Sequence, residues 1–327
     1  MLNRVKRKIA YWEDIIERQR LCNRFSRGRQ VGLHAWSRPC VHDAWLMDFI
    51  EKRGLLDGKP NAKIGLYSIF SPFWLSRLDG CDARIFVERE NLHKPQFQGF
   101  LHRYLDDERV QLSIGFDELT HPAYFHLPFW VMWSVFPPTA TREEIRQQVE
   151  RMNRPAVESL QHRHFCCFVC SHDDVGRRKM FDQLSGIGEV HCPGRLFHNN
   201  DDLKEKYNDD KLAYLTHYRF NLTPENSNYE GYVTEKLFEA IASGCIPIYH
   251  GSNNRPEPEV LNQDAIVFVE MGQENAEAMQ QVAELNANEK RYLEFACQPR
   301  FVPGASEVIW AYYDGLEKKL REVIANI

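Results

Sequence analysis

Residues 218–251, YRFNLTPENSNYEGYVTEKLFEAIASGCIPIYHG, read as strand, polar loop, helix and strand. The span 219–223 suits a strand, and 224–231, with its proline, asparagines and glycine, cannot continue it. Val233, Leu237, Ala240 and Ile241 recur at helical spacing over 232–243, and Gly244 stops that helix at C′. The apolar run 245–249 then reads as a buried parallel strand. The polar loop therefore falls where parallel strands point their carboxyl ends, the crevice in which open α/β sheets bind ligands.

The rest of the chain bounds this reading. It has 327 residues, 43% hydrophobic and 12% aromatic, enough for a substantial core split between two domains. Net charge is −5, and nothing global points to nucleic acid or to an anionic membrane. The longest apolar run, 129–136, is interrupted by Ser134 and falls short of the roughly 18 residues a membrane span needs. The first residues, MLNRVKRK, lack the apolar core of a signal peptide, so a cytoplasmic protein is expected. Nine cysteines, an odd number, do not make a secreted disulfide framework. Cys167 and Cys170 have redox-motif spacing but lie in a strand-like run, which favours burial.

Short strands alternate with helices from 31 onward: strands at 31–36, 64–70, 84–87 and 111–115, with a helix at 43–53 closed by Gly54. Thr141 and Glu144 offer a capping box for a helix that links this series to a second, with strands at 165–169, 189–191 and 265–269 and a helix at 177–184. Alternating βα order implies parallel sheets, hence two Rossmann-like domains, 1–154 and 155–305. The tail, 306–327, sets Ile309, Tyr313, Leu316, Leu320, Val323 and Ile327 on one helical face, expected to pack back on the first domain. The first thirty residues are basic and place Val5, Ile9, Trp12 and Ile16 at helical spacing. That stripe predicts a helix packed on the first domain, with peripheral contact to the inner membrane through residues 1–30 as the competing reading.

Phe220-Asn-Leu, Glu225-Asn, Gly231-Tyr-Val-Thr-Glu-Lys-Leu and Pro247-Ile-Tyr, in this order, resemble the α1,3/4-fucosyltransferase family, glycosyltransferase family 10. The likeness is to a bacterial-type member without a membrane anchor. It implies an α/β GT-B fold, two Rossmann-like domains facing across a cleft. It also implies an inverting α1,3-fucosyltransferase with GDP-β-L-fucose as donor and the GlcNAc of an N-acetyllactosamine-type oligosaccharide as acceptor, giving a Lewis-type product. No cofactor is required, and a divalent cation is at most stimulatory. A GT-B transferase for another nucleotide sugar and a glycan-binding protein without turnover are the alternatives.

Transfer from a nucleotide sugar must neutralise a departing diphosphate, tolerate oxocarbenium-like charge and take a proton from a weakly acidic hydroxyl. Lys236, early in the motif helix where the macrodipole disfavours a structural cation, suits a bound anion. Arg178 matches the family's Arg-x-x-Phe with Phe181, with Arg177 as the register alternative, and a guanidinium fork suits phosphate. By resemblance Asn226 and Tyr232 lie near the donor, and Glu235 bonds the ribose or eases the cationic sugar, a catalytic role. Glu225 could accept from a hydroxyl or from guanine. Glu90, in the matching Glu90-Asn91, is the expected general base, with Glu88 as rival if the strand persists. Asp117 and Glu118 could line the acceptor cleft, and Phe73, Trp74, Phe129, Trp130 and Trp133 could stack on sugars or form core. The acidic pairs at 106–107, 173–174, 201–202 and 209–210 lack Asp-x-Asp spacing, so no metal ligands are expected.

Overall fold

The computed structural model describes residues 2–37, 39–133, 135–161, 163–173 and 176–327. Ser134, Asp174 and the side chains of Arg4 and Val5, which enter the sequence reading, lie outside the described residues. The chain forms two compact units, the first made of the residues up to Trp133 with Pro137–Thr139 and Ala311–Ile327, the second of Ala140–Trp310 with the three residues before Pro137. The division falls before the capped helix Arg142–Asn153, which belongs to the second unit. Its capping box is complete: Thr141 Oγ1 accepts from the Glu144 amide at 3.2 Å, and Glu144 accepts from the Thr141 amide at 2.8 Å.

Strands β1 (Val31–Leu33), β2 (Ile64–Tyr67), β3 (Ala83–Val87), β4 (Leu112–Gly115) and β5 (Tyr124–His126) build the first sheet. All pairs are parallel, in the sequential order β1-β2-β3-β4-β5. Every residue of β2 and β4 is buried, the signature of a sheet covered on both faces. One cover is the cluster of Tyr67, Ile69, Phe86, Leu92, Tyr104 and Val110, drawn largely from the irregular segments after β2 and β3. The final helix, Ala305–Ala325, delivers Tyr313, Leu316 and Leu320, fully buried, to this unit. Tyr313 packs edge-on to Trp45, and its hydroxyl donates to the Pro137 carbonyl at 3.0 Å.

The first helix, Leu2–Phe25, buries a different face from the one its apolar spacing predicts. Ile15 and Cys22 go inside, whereas Ile9, Trp12 and Ile16 stay 51%, 48% and 48% exposed. The stripe read from the sequence is the outward one, because the inward face is completed by polar side chains: Gln19 accepts from the Ala35 amide and Arg18 donates to the Phe70 carbonyl. Among the described residues no helix is long and apolar enough to cross a membrane.

In the second unit β6 (His164–Cys167), β7 (Val190–His191), β8 (Tyr218–Pro224), β9 (Ile246–His250) and β10 (Val267–Phe268) form a parallel sheet ordered β7-β6-β8-β9-β10. The order reverses between β6 and β8, so the crevice of a doubly wound sheet opens at their carboxyl ends. Cys170 and Cys167 enter different core clusters, one with Phe220 and Ile248, the other with Tyr214 and Ala240. The redox spacing thus spans the end of β6 and the residues just past it, and its two cysteines are buried and free. The helix Glu235–Ala242 ends in a Schellman motif, with the Cys245 amide on the Ala240 carbonyl and the Gly244 amide on that of Ile241, Gly244 taking φ 73°.

Candidate active site

A pocket of about 100 Å³ lies at the reversal point of the second sheet. Its walls are Phe168 to His172 after β6, Asn221 to Pro224 of β8, and the side chains of Arg177, Lys211, Asn226 and Lys236. Three cations and no carboxylate line it, and the carboxylates that pair with two of them, Glu239 with Lys211 at 2.5 Å and Glu225 with Lys236 at 3.1 Å, are not part of the lining. Two helices, Arg177–Ser185 and Glu235–Ala242, begin at its rim, so their dipoles add to the attraction for an anion. The volume suits a phosphate group, not a whole nucleotide, whose sites run to roughly 300–1,000 Å³.

Arg177 is buried, donating to the His172 carbonyl at 2.8 Å, to Cys170 Sγ at 3.2 Å and to Asn226 Oδ1 at 3.0 Å. Arg178 is exposed, its guanidinium 4.7 Å from the centre of the Phe197 ring, on which Phe181 also stacks. Residues 178 and 181 share a helix face, and that face turns from the pocket toward Phe197. The structure thus brings Arg177, the register alternative, to the site in place of Arg178.

Lys236 is held by Glu225 at 3.1 Å and Thr234 Oγ1 at 2.8 Å, with Glu235 3.7 Å away. Burial works to lower its pKa, but the Glu225 and Glu235 carboxylates hold it above the ordinary lysine range. The ammonium stays charged at neutral pH. Glu225 is buried and accepts from the Thr234 amide at 2.7 Å and from the Thr234 hydroxyl at 2.8 and 3.0 Å. It is therefore a brace beneath the helix start, not a group presented to guanine. Asn226 is exposed at the rim, and Glu235 is partly exposed beside Lys236 without lining the pocket. Tyr232 is buried, 2% exposed, so its phenol faces protein instead of a ligand. Pro193-Gly194 packs behind the site, where a Cβ on Gly194 would lie 2.2 Å from the Cys170 carbonyl oxygen. Lys211, carried on no motif, is a pocket residue the sequence offers no signal for.

In the first unit Glu88 and Glu90 part company at the end of β3. Glu88 is buried, with Oε2 near the Tyr124 hydroxyl and without a hydrogen-bond partner among the described residues. Burial, and then the Asp117 charge, push its pKa well above the usual carboxylate range, against a Phe116 amide bond that works the other way. Glu90 is partly exposed and bonds Lys94 Nζ at 3.3 Å. Asp117, weighed as a cleft residue, gathers His93 at 2.8 Å and His102 at 3.4 Å, two histidines the sequence reading did not name. Phe129 and Trp130 are core, while Trp74 is partly exposed and packs against Trp12.

Residues 160–298 match the family model described as glycosyltransferase family 10 (fucosyltransferase) C-term. The mouse protein 4-galactosyl-N-acetylglucosaminide 3-alpha-L-fucosyltransferase 9 is 29% identical over 213 residues, 62% of this chain and 49% of that one. The Helicobacter pylori alpha-(1,3)-fucosyltransferase FucT is 27% identical over 226 residues, 64% of this chain and 46% of that one. The chain spans about half the length of the curated relatives it matches. A crystal structure of an alpha1,3-fucosyltransferase aligns over 78% of both chains with a TM-score of 0.51 and 20% identity, a likeness of fold. That likeness, with the two parallel α/β units, gives the chain a GT-B fold.

Proposed function

Residues 160–298 of the chain form a glycosyltransferase family 10 C-terminal domain, and from that premise we propose that the protein is an inverting α1,3-fucosyltransferase. It moves L-fucose from GDP-β-L-fucose to the GlcNAc of an N-acetyllactosamine-type glycan. The observation that carries this reading is the cation-lined pocket between β6 and β8, where Arg177, Lys211 and Lys236 converge on a space the size of a phosphate group. The bond from fucose C1 to the β-phosphate oxygen breaks and leaves negative charge on GDP. Fixed cations and helix N-termini in a partly dry site stabilise that charge by several kcal/mol. The acceptor oxygen bonds C1 from the opposite face, and its proton passes to a carboxylate. Glu90 is the residue proposed for that proton: it is partly exposed, while Glu88 is sealed in the core, where burial raises its pKa. Glu235, 3.7 Å from Lys236, is the residue proposed to balance positive charge on the sugar.

The test has two arms. Saturating GDP is expected to raise the melting temperature more than UDP does, since a ligand bound only by the native state stabilises it by mass action. Incubation with GDP-fucose and N-acetyllactosamine is expected to add one deoxyhexose to the glycan by mass. A larger shift with UDP overturns the donor assignment, and GDP binding with no addition to a broad acceptor panel favours a glycan-binding protein without turnover.

A further inference from the structure

On the first sheet three metal-ligating side chains converge from separate segments. His34 follows β1, while Asp79 and Cys81 lie in the turn before β3. Their ligand atoms lie within 4.8 Å of one another, the one such group found among the described residues. His34 Nε2 is 3.4 Å from Cys81 Sγ. A tetrahedral zinc ion with its usual bonds to sulfur and imidazole nitrogen sets those two atoms roughly 3.5 Å apart.

The surroundings hold each ligand in place. The His34 ring stacks on Tyr67 at 4.8 Å, with the planes 4° apart. Asp79 accepts from Arg84 at 2.6 and 2.9 Å, from the Cys81 amide at 2.9 Å and from the Tyr67 hydroxyl. Such outer partners fix ligand orientation in metal sites. Beneath the pair, Gly32 and Gly65 face each other in register on β1 and β2. A Cβ on Gly65 would press 3.0 Å from Cys81 Sγ and 3.2 Å from the His34 ring, so the strand leaves this space open for them. His34 and Cys81 are partly exposed, which gives an ion a path in, while the Asp79 side chain is buried against Arg84.

A thiol donating to an imidazole and packed against a sheet is the simpler account of the pair, but the Asp79 carboxylate, anchored by Arg84 and Tyr67, stands within 4.8 Å of both atoms as a third donor. We propose that His34, Cys81 and Asp79 form a binding site for Zn²⁺ or a similar thiophilic divalent cation. The ion replaces the Cys81 thiol proton, which leaves to solvent, and takes the Nε2 lone pair of His34. Four donors already use the carboxylate's roughly four lone-pair directions, so one Asp79 oxygen is shared with or exchanged from a donor as it closes the set. Water completes a tetrahedron.

The experiment titrates Co²⁺ into the full chain and follows the near-ultraviolet sulfur-to-cobalt charge-transfer band, then bleaches it with Zn²⁺. The band should saturate at one equivalent and be lost in Cys81→Ser. It should need about tenfold more metal or worse in His34→Gln. Cys40→Ser, which removes an exposed thiol elsewhere, should leave it unchanged. No band in the unaltered chain, or one that survives Cys81→Ser, overturns the site. If Cys81→Ser fails to fold, alkylation of the unaltered chain decides: Zn²⁺ protection of the Cys81-containing peptide by mass supports the site, and equal labelling with and without Zn²⁺ refutes it.

Discussion

One residue of helical phase separates a pocket-lining arginine from a stacking one. Arg177 and Arg178 are adjacent at the start of Arg177–Ser185, so they point about 100° apart. Arg177 reaches Asn226 and the pocket, and Arg178 reaches Phe197. Arg177→Ala is therefore expected to lower kcat/KM by about 10²-fold, the cost of one charge-stabilising donor, and to shrink the thermal shift given by GDP. Arg178→Ala should cost about 0.5–1 kcal/mol of stability as a lost cation–π contact and leave GDP binding near normal. Steady-state kinetics and melting curves with and without GDP separate the two, and equal losses in both variants sink the assignment. The sequence favours Arg178, which with Phe181 satisfies the family spacing, and misses Arg177 because the ring that draws Arg178 away, Phe197, is remote in the chain. Glu88 and Glu90 show the same limit. Strand β3 ends at Val87, so nothing in their spacing tells which carboxylate the following turn buries.

At the scale of elements, the strand, loop, helix and strand of 218–251 were legible from local causes such as the asparagines and glycine of the loop, an apolar stripe and a stop glycine, although β8 runs one residue further than expected, through Pro224, which pairs with His250. The helix start was not. It begins at Glu235, three residues later than the stripe predicts, because Val233 is buried from the loop and Thr234 occupies the N-cap. Thr234 makes no cap bond with its own helix; its hydroxyl donates to Glu225 and accepts from Lys236. A buried carboxylate thereby ties the helix start to the end of β8 and holds the pocket lysine. Thr234→Val keeps the shape and removes both bonds. Its expected cost is about 1–2 kcal/mol of stability together with about a tenfold fall in kcat/KM. A variant that lost the stability but kept full kcat/KM would reduce Thr234 to a structural prop. The first helix went the other way: its apolar stripe was plain in the sequence, yet the buried face is anchored by Gln19 and Arg18, side chains that periodicity counts as outward.

For the whole molecule, the sequence carried the number of α/β units and the parallel character of their sheets, since both follow from alternating elements. It did not carry strand order. The first sheet runs sequentially and the second reverses, and that difference resides in which edge each crossover chooses, a choice made by tertiary packing. The reversal is what places a pocket between β6 and β8, and among the described residues the first sheet has no comparable reversal. The first unit is also discontinuous: residues from Ala311 onward complete it after the whole second unit has been laid down. Arg53 bonds Glu317 at 3.1 Å, and Tyr313 lies against Trp45 and Phe49, so the last helix is a wall of the first core. Leu316 is fully buried in that wall. Leu316→Ala is accordingly expected to cost about 2–5 kcal/mol, through lost transfer energy and the cavity left behind. The loss should appear in the melting transition and in the fluorescence of tryptophans in the first unit. The GDP-linked increment in melting temperature should survive, because the pocket that generates it is built from residues 168–236. Loss of GDP binding in this variant, with the native secondary structure intact, would mean that the cation pocket depends on the terminal helix and is not set by β6, β8 and their following loops alone.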